Sequence, residues 1–295
     1  MILALETTNL IERALLEDLA TGDPTTEAII PNHLTGTGII KSKATGILCG
    51  GGLAMAVFHA IDPSLQGKLL LKEGSALRPG MEIGRVSGNL KAILTGERTA
   101  LNFLQHLSGI ATETSKYVKA IEGLKTRIVD TRKTIPGLRK VEKYAVQIGG
   151  GRNHRQNLGD GILIKDNHIS TLKTTLQKEV TLAEIILTAQ KMASHTLKVE
   201  VEVTSLEEAS QALDSGAQLL LLDNMSIDEM REVVLLNNGK AVLEASGGIN
   251  LDSVRSVAES GVDIISIGAL THSSCALDIS MDLEADPTSE TILNP

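Results

Sequence analysis

The chain has 295 residues, of which 42% are hydrophobic and 22% are charged, and its formal net charge is −8. This balance is typical of a globular protein with one large domain or two ordinary ones, and it excludes a disordered chain, a fibre and a coiled coil. An acidic chain with two Phe, two Tyr and no Trp is also a poor candidate for binding nucleic acid or an anionic membrane.

The N-terminal third mixes helix and strand signals. Ile11, Ala14, Leu15 and Leu19 recur at helical spacing and predict a helix over residues 9–20. The further predicted elements are a helix over residues 53–61, strands over 68–72, 83–86 and 90–94, and a long helix over 97–122. The mixture predicts an α+β sandwich domain.

The second half repeats strand and helix signals at a spacing of about 22 residues. Apolar, β-branched runs predict strands over residues 127–130, 162–164, 199–203, 219–222, 241–243 and 263–267. The helices between the last four strands carry capping signals at both ends: Ser205 with Glu208 and Gly216, Ser226 with Glu229 and Gly239, and Asn250 with Gly261. Alternation of this kind predicts βαβ units and a parallel sheet.

The predicted fold class is therefore α/β, with an N-terminal α+β sandwich domain over residues 1–110 and a β/α barrel domain over residues 111–270. This pattern is compatible with an open barrel and with a closed one. We expect the C-terminal tail, residues 271–295, to pack back onto the first domain.

The cysteine content and the apolar runs bear on location. Two cysteines, Cys49 and Cys275, provide no disulfide framework and favour a reducing compartment. The first residues lack the basic segment and apolar core of a secretion signal, and no apolar run reaches the roughly 18 residues of a membrane helix. We expect a cytoplasmic protein.

Polar and small residues follow the predicted strands of the second half. In a β/α barrel, the carboxyl ends of the strands and their loops form the active site. One such residue alone can be an ordinary surface group, but as a set they predict a shared pocket. The set comprises Asp130, Arg132, Lys133, Lys165, Glu200, Glu202, Asp223, Asn224, Glu244, Ser246 and Gly268.

Ser246, Gly247 and Gly248 precede a predicted helix. Glycines let backbone N–H groups approach a ligand, and a helix N-terminus favours an anion, so this segment predicts a phosphate site together with Gly268 on the next strand. A plain tight turn is the alternative. The chain contains no Walker A motif, which disfavours the P-loop nucleotide folds.

Residues 125–168 contain ten basic and four acidic residues, a net charge of +6 within an acidic chain. Because guanidinium groups bind carboxylates and phosphates in a bidentate manner, this segment predicts a substrate with several negative charges. A solvated basic face is the alternative. Glu202 and Asp223 could hold Mg²⁺ beside a pyrophosphate or could pair with nearby Lys and Arg side chains.

Three motifs, at residues 130–139, 149–155 and 164–168, resemble those of the quinolinate phosphoribosyltransferases, also called nicotinate-nucleotide pyrophosphorylases (carboxylating). Further matches lie at residues 96–99, 108–112, 199–203, 222–224, 244–249 and 268–272, so that the resemblance covers essentially the whole chain. It implies transfer of phosphoribosyl from 5-phosphoribosyl-1-pyrophosphate to quinolinate with Mg²⁺. The products are nicotinate mononucleotide, CO₂ and pyrophosphate, in de novo NAD biosynthesis.

The resemblance also implies a homodimer or an assembly of dimers, with Arg98 completing the partner's quinolinate site. Arg132, His154, Arg155 and Lys165 would hold the quinolinate carboxylates, and Lys133, Lys165 and His272 would contact phosphates. Glu202 and Asp223 would bind ribose hydroxyls or Mg²⁺, directly or through water, and Ser246, Gly247, Gly248 and Gly268 would hold the 5-phosphate. Lys133, Lys165, Glu202 and Asp223 are the predicted catalytic residues.

Two alternatives remain. A nicotinate phosphoribosyltransferase-like enzyme would not decarboxylate its substrate, and a monocarboxylate needs fewer cations than Arg98, Arg132, His154 and Arg155 provide. A non-catalytic relative that binds a phosphorylated ligand is the second alternative, and the presence of Lys133, Lys165, Glu202 and Asp223 argues against it.

Overall fold

The structure is a computed structural model and describes residues 4–175 and 180–287. The chain divides into two compact units. The first comprises Met1–Glu113, Pro136–Gly149 and Ser274–Pro295, and the second comprises Thr114–Ile135 and Gly150–Ser273. Residues 288–295 of the tail lie outside the described residues, so the expectation for them stays a prediction.

The helices and strands follow one another along the chain in a mixed order. Up to the first parallel strand they are α1 (Ala4–Leu19), α2 (Pro24–Ile29), β1 (Thr35–Ser42), β2 (Gly46–Ile47), α3 (Gly51–Ile61), β3 (Gln66–Leu69), β4 (Ala76–Leu77), β5 (Glu82–Asn89), α4 (Leu90–Ala120) and β6 (Arg127–Val129). The remainder are α5 (Arg139–Ile148), β7 (Ile162–Ile164), α6 (Asp166–Thr175), α7 (Leu182–Met192), β8 (Val199–Val203), α8 (Leu206–Asp214), β9 (Leu219–Asp223), α9 (Ile227–Asn237), β10 (Val242–Ser246), α10 (Val254–Glu259), β11 (Ile264–Ser266), α11 (Ala269–His272) and β12 (Ile279–Ala285).

The first unit contains a four-stranded antiparallel sheet in the order β12-β1-β5-β3 and a short β2–β4 pair. The C-terminal strand β12 therefore pairs with β1, from Gly36 opposite Ala285 to Ser42 opposite Ile279. The helix α3 contacts β3 and β5, and its Val57 and Phe58 are buried. Burial of these side chains provides the first unit with its own apolar core.

Residues 90–94 form the start of α4, so the predicted strand there is wrong. Leu90, Ile93, Ala100, Leu104 and Leu107 are all buried, and their spacings of three, four or seven residues continue one helix face. The long helix predicted from residue 97 therefore begins seven residues earlier, at Leu90, because the buried face extends to its first residue.

The second unit is built on a six-stranded parallel sheet in the order β6-β11-β10-β9-β8-β7. Between the described residues of its edge strands β6 and β7 no ladder forms; β6 has a single bridge to Arg152 instead. Together with the mixed first unit, this confirms the predicted fold class, and the parallel sheet has the form of an open barrel. All six strands place their carboxyl ends at one edge.

Strands β8, β9 and β10 form the aliphatic core of this sheet, with Val201, Leu220, Leu222 and Ala245 fully buried. Strands covered on both faces are expected where helices connect parallel strands. Among the described residues, no helix is long and apolar enough to cross a membrane.

The helix caps in this unit match the sequence signals to different degrees. Ser226 and Glu229 form a reciprocal capping box at α9. Ser205 caps α8, but the Glu208 carboxylate accepts the N–H of Thr204 and not that of Ser205. The Asn250 side chain accepts from Asp252 and Ser253 in a turn before α10, so the predicted cap at Asn250 is wrong by three residues.

Candidate active site

A cavity of about 570 Å³ lies within the second unit, lined by residues from the carboxyl ends of its strands. Its volume is in the range of small-molecule sites. Ten of the residues proposed from the sequence line it: Arg132, Lys133, His154, Arg155, Lys165, Glu202, Asp223, Ser246, Gly247 and Gly248. We call it the strand-end pocket.

Two guanidinium groups lie close together in this pocket. The Nε of Arg132 is buried and finds no hydrogen-bond acceptor among the described residues. Arg155 donates from Nη1 to the carbonyl of Gly161 at 3.1 Å. Burial lowers the pKa of Arg155, and the neighbouring charge of Arg132 lowers it further. Two cations held together with an unused buried donor form a site that an anion with more than one negative charge would stabilise.

Lys165 and Glu202 form an ion pair across neighbouring strands, with Nζ 2.7 Å from Oε2. The Lys165 side chain is 46% exposed and that of Glu202 only 8%, so the ammonium is the more accessible of the two charged groups. Asp223, at the end of the next strand, accepts from the side-chain amide of Asn224 at 2.8 Å.

Glu202 and Asp223 thus bring carboxylate oxygens from adjacent strands into one pocket. Carboxylate oxygens, completed by substrate phosphates, are the ligands that Mg²⁺ prefers. The residues present fit this ion, and the ion pair of Glu202 with Lys165 shows that charge pairing, the alternative role, is formed by at least one of the two carboxylates.

His154 is held from several directions. Its backbone N–H donates to Asp130 Oδ1 at 2.9 Å, and its Nδ1 accepts the N–H of Arg155 at 2.7 Å. Its Nε2 lies 3.4 Å from Glu200 Oε2 and 3.5 Å from Glu244 Oε2. Burial lowers the pKa of His154, but the hydrogen bonds and charges of the two carboxylates outweigh it and raise the pKa to about 10.

The turn after β10 has the backbone that the sequence suggested. Gly247 has φ +95° and Gly248 has φ +61°, both in the left-handed region. A side chain at Gly247 would press on Asn224, whose N–H donates to the carbonyl of Ser246 at 3.0 Å. Glycine is therefore required here by conformation and by close approach, which fits both a phosphate cradle and a tight turn.

Three of the residues proposed from the sequence do not line the strand-end pocket. Gly268 lies beside it, since a Cβ there would stand 2.9 Å from Lys133 Cδ and 3.2 Å from His272 Nε2. His272 is on α11 and donates to or accepts from Ser273 at 2.6 Å. Arg98 lines a separate cavity of about 270 Å³ within the first unit, with Glu17, Asp18 and His106.

The basic segment 125–168 does not form one cationic surface. Only Arg132, Lys133, Arg155 and Lys165 of its ten basic residues line the strand-end pocket. Arg139 lies on α5, which belongs to the first unit. The excess of positive charge along the sequence therefore overstates the charge of the pocket.

Several lining residues were not singled out as site residues from the sequence. Asn224 and Glu244 were noted only as strand-end polar groups, and Leu163 and Leu221 resemble ordinary core positions. The alternation of side chains along a strand could have found the leucines, because Leu221 stands opposite Glu202 in the sheet register and shares its face. Thr131 and Ser266 complete the set.

Comparison with known proteins assigns both halves of the chain to one family. Residues 23–108 match the family model of the quinolinate phosphoribosyl transferase N-terminal domain. Residues 110–282 match the model of the C-terminal domain of the same family.

Individual relatives agree. The probable nicotinate-nucleotide pyrophosphorylase [carboxylating] of Bacillus subtilis is 40% identical over 279 residues, covering 95% of this chain and 94% of the relative. The nicotinate-nucleotide pyrophosphorylase [carboxylating] of Mycobacterium leprae is 40% identical over 280 residues, covering 92% and 95%. The crystal structure of NadC from Streptococcus pyogenes superposes with a TM-score of 0.90 at 37% identity, covering 96% of this chain and 98% of that chain.

Proposed function

The chain belongs to the quinolinate phosphoribosyltransferase family, and on that premise we propose that the strand-end pocket is its active site. The enzyme is a pentosyltransferase: it transfers phosphoribosyl from 5-phosphoribosyl-1-pyrophosphate to quinolinate with decarboxylation. It releases nicotinate mononucleotide, CO₂ and pyrophosphate, and serves de novo NAD biosynthesis.

The pairing of Arg132 with Arg155 is the observation that carries this assignment of the pocket. Their like charges lie close enough that one lowers the pKa of the other, and a buried Arg132 donor has no acceptor among the described residues. Quinolinate has two adjacent carboxylates, which two guanidinium groups can neutralise and orient. Lys165 adds further positive charge at the same pocket, which the His154 ring also lines.

Orientation of the carboxylates directs the pyridine nitrogen toward the anomeric carbon of the ribose. As the pyrophosphate leaves, the ribose becomes positively charged, and the carboxylates of Glu202 and Asp223 stabilise that charge in the same pocket. Lys133 and Lys165 are placed to balance the charge of the leaving pyrophosphate. After transfer the ring nitrogen is cationic, and this stabilises the carbanion that remains when the adjacent carboxylate departs as CO₂.

The same two acidic residues would hold Mg²⁺, directly or through water, and this ion would neutralise the phosphates of 5-phosphoribosyl-1-pyrophosphate when bound. The glycine turn Ser246–Gly247–Gly248 would receive the 5-phosphate on its backbone N–H groups, with Gly268 and His272 nearby. Both assignments are supported by donor chemistry and by backbone conformation.

The enzyme would act as a homodimer or an assembly of dimers in which Arg98 reaches the partner's quinolinate. Supporting this, Arg98 does not line the strand-end pocket of its own chain, although it stands in a segment that resembles the family's substrate-contacting motif. We place the enzyme in the cytoplasm, where Cys49 and Cys275, both free, remain reduced.

A substrate comparison tests the proposed function. Purified enzyme is incubated with 5-phosphoribosyl-1-pyrophosphate and Mg²⁺ and with either quinolinate or nicotinate, and nicotinate mononucleotide is quantified. We expect product from quinolinate, and none from nicotinate above the enzyme-free background, because a monocarboxylate leaves one guanidinium unneutralised. Faster turnover of nicotinate than of quinolinate would contradict the assignment.

A further inference from the structure

Two buried carboxylates at the strand-end pocket have no role in the reaction as described above. Glu200 on β8 is 6% exposed and Glu244 on β10 is 2% exposed. Glu200 lies two residues before Glu202, so both side chains are on the same face of β8. Glu244 lines the strand-end pocket itself.

Both carboxylates converge on one atom. Each directs its Oε2 at His154 Nε2, at 3.4 Å from Glu200 and 3.5 Å from Glu244. The second oxygen of each, Oε1, is buried without a hydrogen-bond partner among the described residues. Among the described residues, the His154 ring is therefore the polar contact that the two carboxylates share.

Burying two carboxylates around one ring nitrogen has an electrostatic cost, and this cost suggests that the two residues have a role in the site. A buried carboxylate needs a cation or several hydrogen bonds to offset its lost hydration, and here two carboxylates share one ring nitrogen. An apolar pair or a glutamine pair would fill the same space in the sheet at lower electrostatic cost. The carboxylates thus act on His154 rather than on the stability of the core.

The other side of the ring continues the connection toward the pocket. His154 Nδ1 accepts the backbone N–H of Arg155 at 2.7 Å, and the His154 N–H itself is bound by Asp130. Fixing the ring therefore fixes the backbone from which the Arg155 guanidinium extends. Contacts therefore connect Glu200 and Glu244, through the His154 ring, to Arg155, which is proposed to bind the substrate carboxylates.

We propose that Glu200 and Glu244 are positioning residues of the quinolinate site, which hold the His154 ring and, through it, the backbone of Arg155. This inference rests on the proposed function, because it takes the strand-end pocket as the quinolinate site. Both carboxylates act on Arg155 through His154, and the charge of Glu200 also acts directly on the Arg155 guanidinium.

The test uses the isosteric variants Glu200→Gln and Glu244→Gln, assayed with quinolinate and with 5-phosphoribosyl-1-pyrophosphate as the varied substrate. Each should raise the KM for quinolinate about tenfold or more, the range found for outer partners that orient a binding histidine, with kcat and the KM for the second substrate within about twofold. The exposed Glu207→Gln on α8 is the matched control and should change neither constant.

A double-mutant cycle separates positioning from a structural role. In a His154→Asn background, Glu244→Gln should add less than about twofold to the KM for quinolinate, because the residue through which it acts is gone. Glu200→Gln should retain only the part of its effect that comes from its direct charge interaction with Arg155. Full additivity, or equal increases in both KM values, would overturn the proposal. If one glutamate variant fails to fold, as judged by circular dichroism, the other completes the cycle on its own.

Two further outcomes are distinguished by the same samples. The three side chains also have the composition of a metal site, with ligand atoms within 4.8 Å of one another. Stoichiometric zinc in the purified enzyme, lost in Glu244→Gln, would overturn the positioning role in favour of metal binding. A wild-type enzyme inactive on quinolinate would instead refute the proposed function, whereas an active wild type with unaffected variants would refute this proposal alone.

Discussion

At the scale of single residues, the strand-end pocket is controlled by a few groups with little freedom. Lys165 is paired with Glu202, His154 is held by contacts at its backbone and at both ring nitrogens, and Gly247 has a backbone conformation that other residues avoid. Ten of the residues that line the pocket were predicted, most of them because they are polar or small residues at strand ends. His154 and Arg155 were assigned only through the family resemblance. The pairing of Glu200 and Glu244 with His154 was not predictable, since it depends on which strands are neighbours.

Gly247→Ala tests the glycine turn. Its φ of +95° costs a non-glycine residue roughly 1–2 kcal/mol, and the new Cβ would also stand 2.8 Å from the backbone N of Asn224. We expect the turn to shift and the KM for 5-phosphoribosyl-1-pyrophosphate to rise about tenfold or more in steady-state assays.

Gly216→Ala is the matched control for this change. Gly216 has φ +76°, and apart from its chain neighbours nothing in the described part of the chain lies within 4 Å of where a Cβ would stand. The substitution therefore carries a backbone cost without a contact near the pocket. It should reduce stability and leave the KM unchanged. An equal KM in the two variants would argue that the turn does not bind the phosphate.

At the scale of helices and strands, prediction from the sequence succeeded where the pattern lies within one segment. It failed where a strand depends on pairing with distant segments. The strands β7 and β8 were predicted with their observed bounds, because β7 is a short apolar run and β8 alternates valine with glutamate. Strands β1 and β12 were not predicted. Strand β1 has two glycines in its first four residues, and it is stabilised by pairing with distant β12 and β5, which no local pattern reveals.

The start of α4 gives a stability prediction. Asn89 Oδ1 accepts the N–H of Ala92 at 3.2 Å and so caps the first turn of α4, the part of the helix for which the sequence predicted a strand. The Asn89 Nδ2 donates to the carbonyl of Asn32. Asn89→Ala should lower the free energy of unfolding by about 1 kcal/mol, the usual cost of losing a cap.

Urea unfolding followed by circular dichroism measures this effect. Asn9→Ala, at an exposed position within α1, is the control and should change stability by less than about 0.5 kcal/mol. A loss in Asn89→Ala no larger than that of the control would show that the cap contributes nothing to α4.

At the scale of the whole molecule, the two units carry different parts of the proposed chemistry. The strand-end pocket belongs entirely to the second unit, whereas Arg98 lies in the first. The family resemblance implies that Arg98 completes the site of a partner chain, so that two chains build one site. If the site is shared between subunits, mixing two different inactive variants should restore activity. If the site lies within one chain, it should not.

Mixing inactive subunits tests the shared site. Arg98→Ala and Lys165→Ala subunits are combined under conditions that allow exchange. Half of the dimers should then contain both chains, each with one intact site, so about a quarter of the wild-type activity should return. The pair Lys165→Ala and Glu202→Gln is the control, because both residues line one pocket of one chain and no intact site can form. Recovery in neither mixture, after mass spectrometry confirms exchange, would contradict the role of Arg98 across the interface.

The strand-end pocket, as proposed, binds quinolinate and releases the carboxylate next to the ring nitrogen. Its most direct test uses quinolinate labelled with ¹³C in the 2-carboxylate, together with 5-phosphoribosyl-1-pyrophosphate and Mg²⁺. We expect one equivalent of labelled CO₂ for each nicotinate mononucleotide formed, and loss of both products in Lys165→Ala. Label retained in the nucleotide, or nucleotide formed without CO₂, would contradict this function of the pocket.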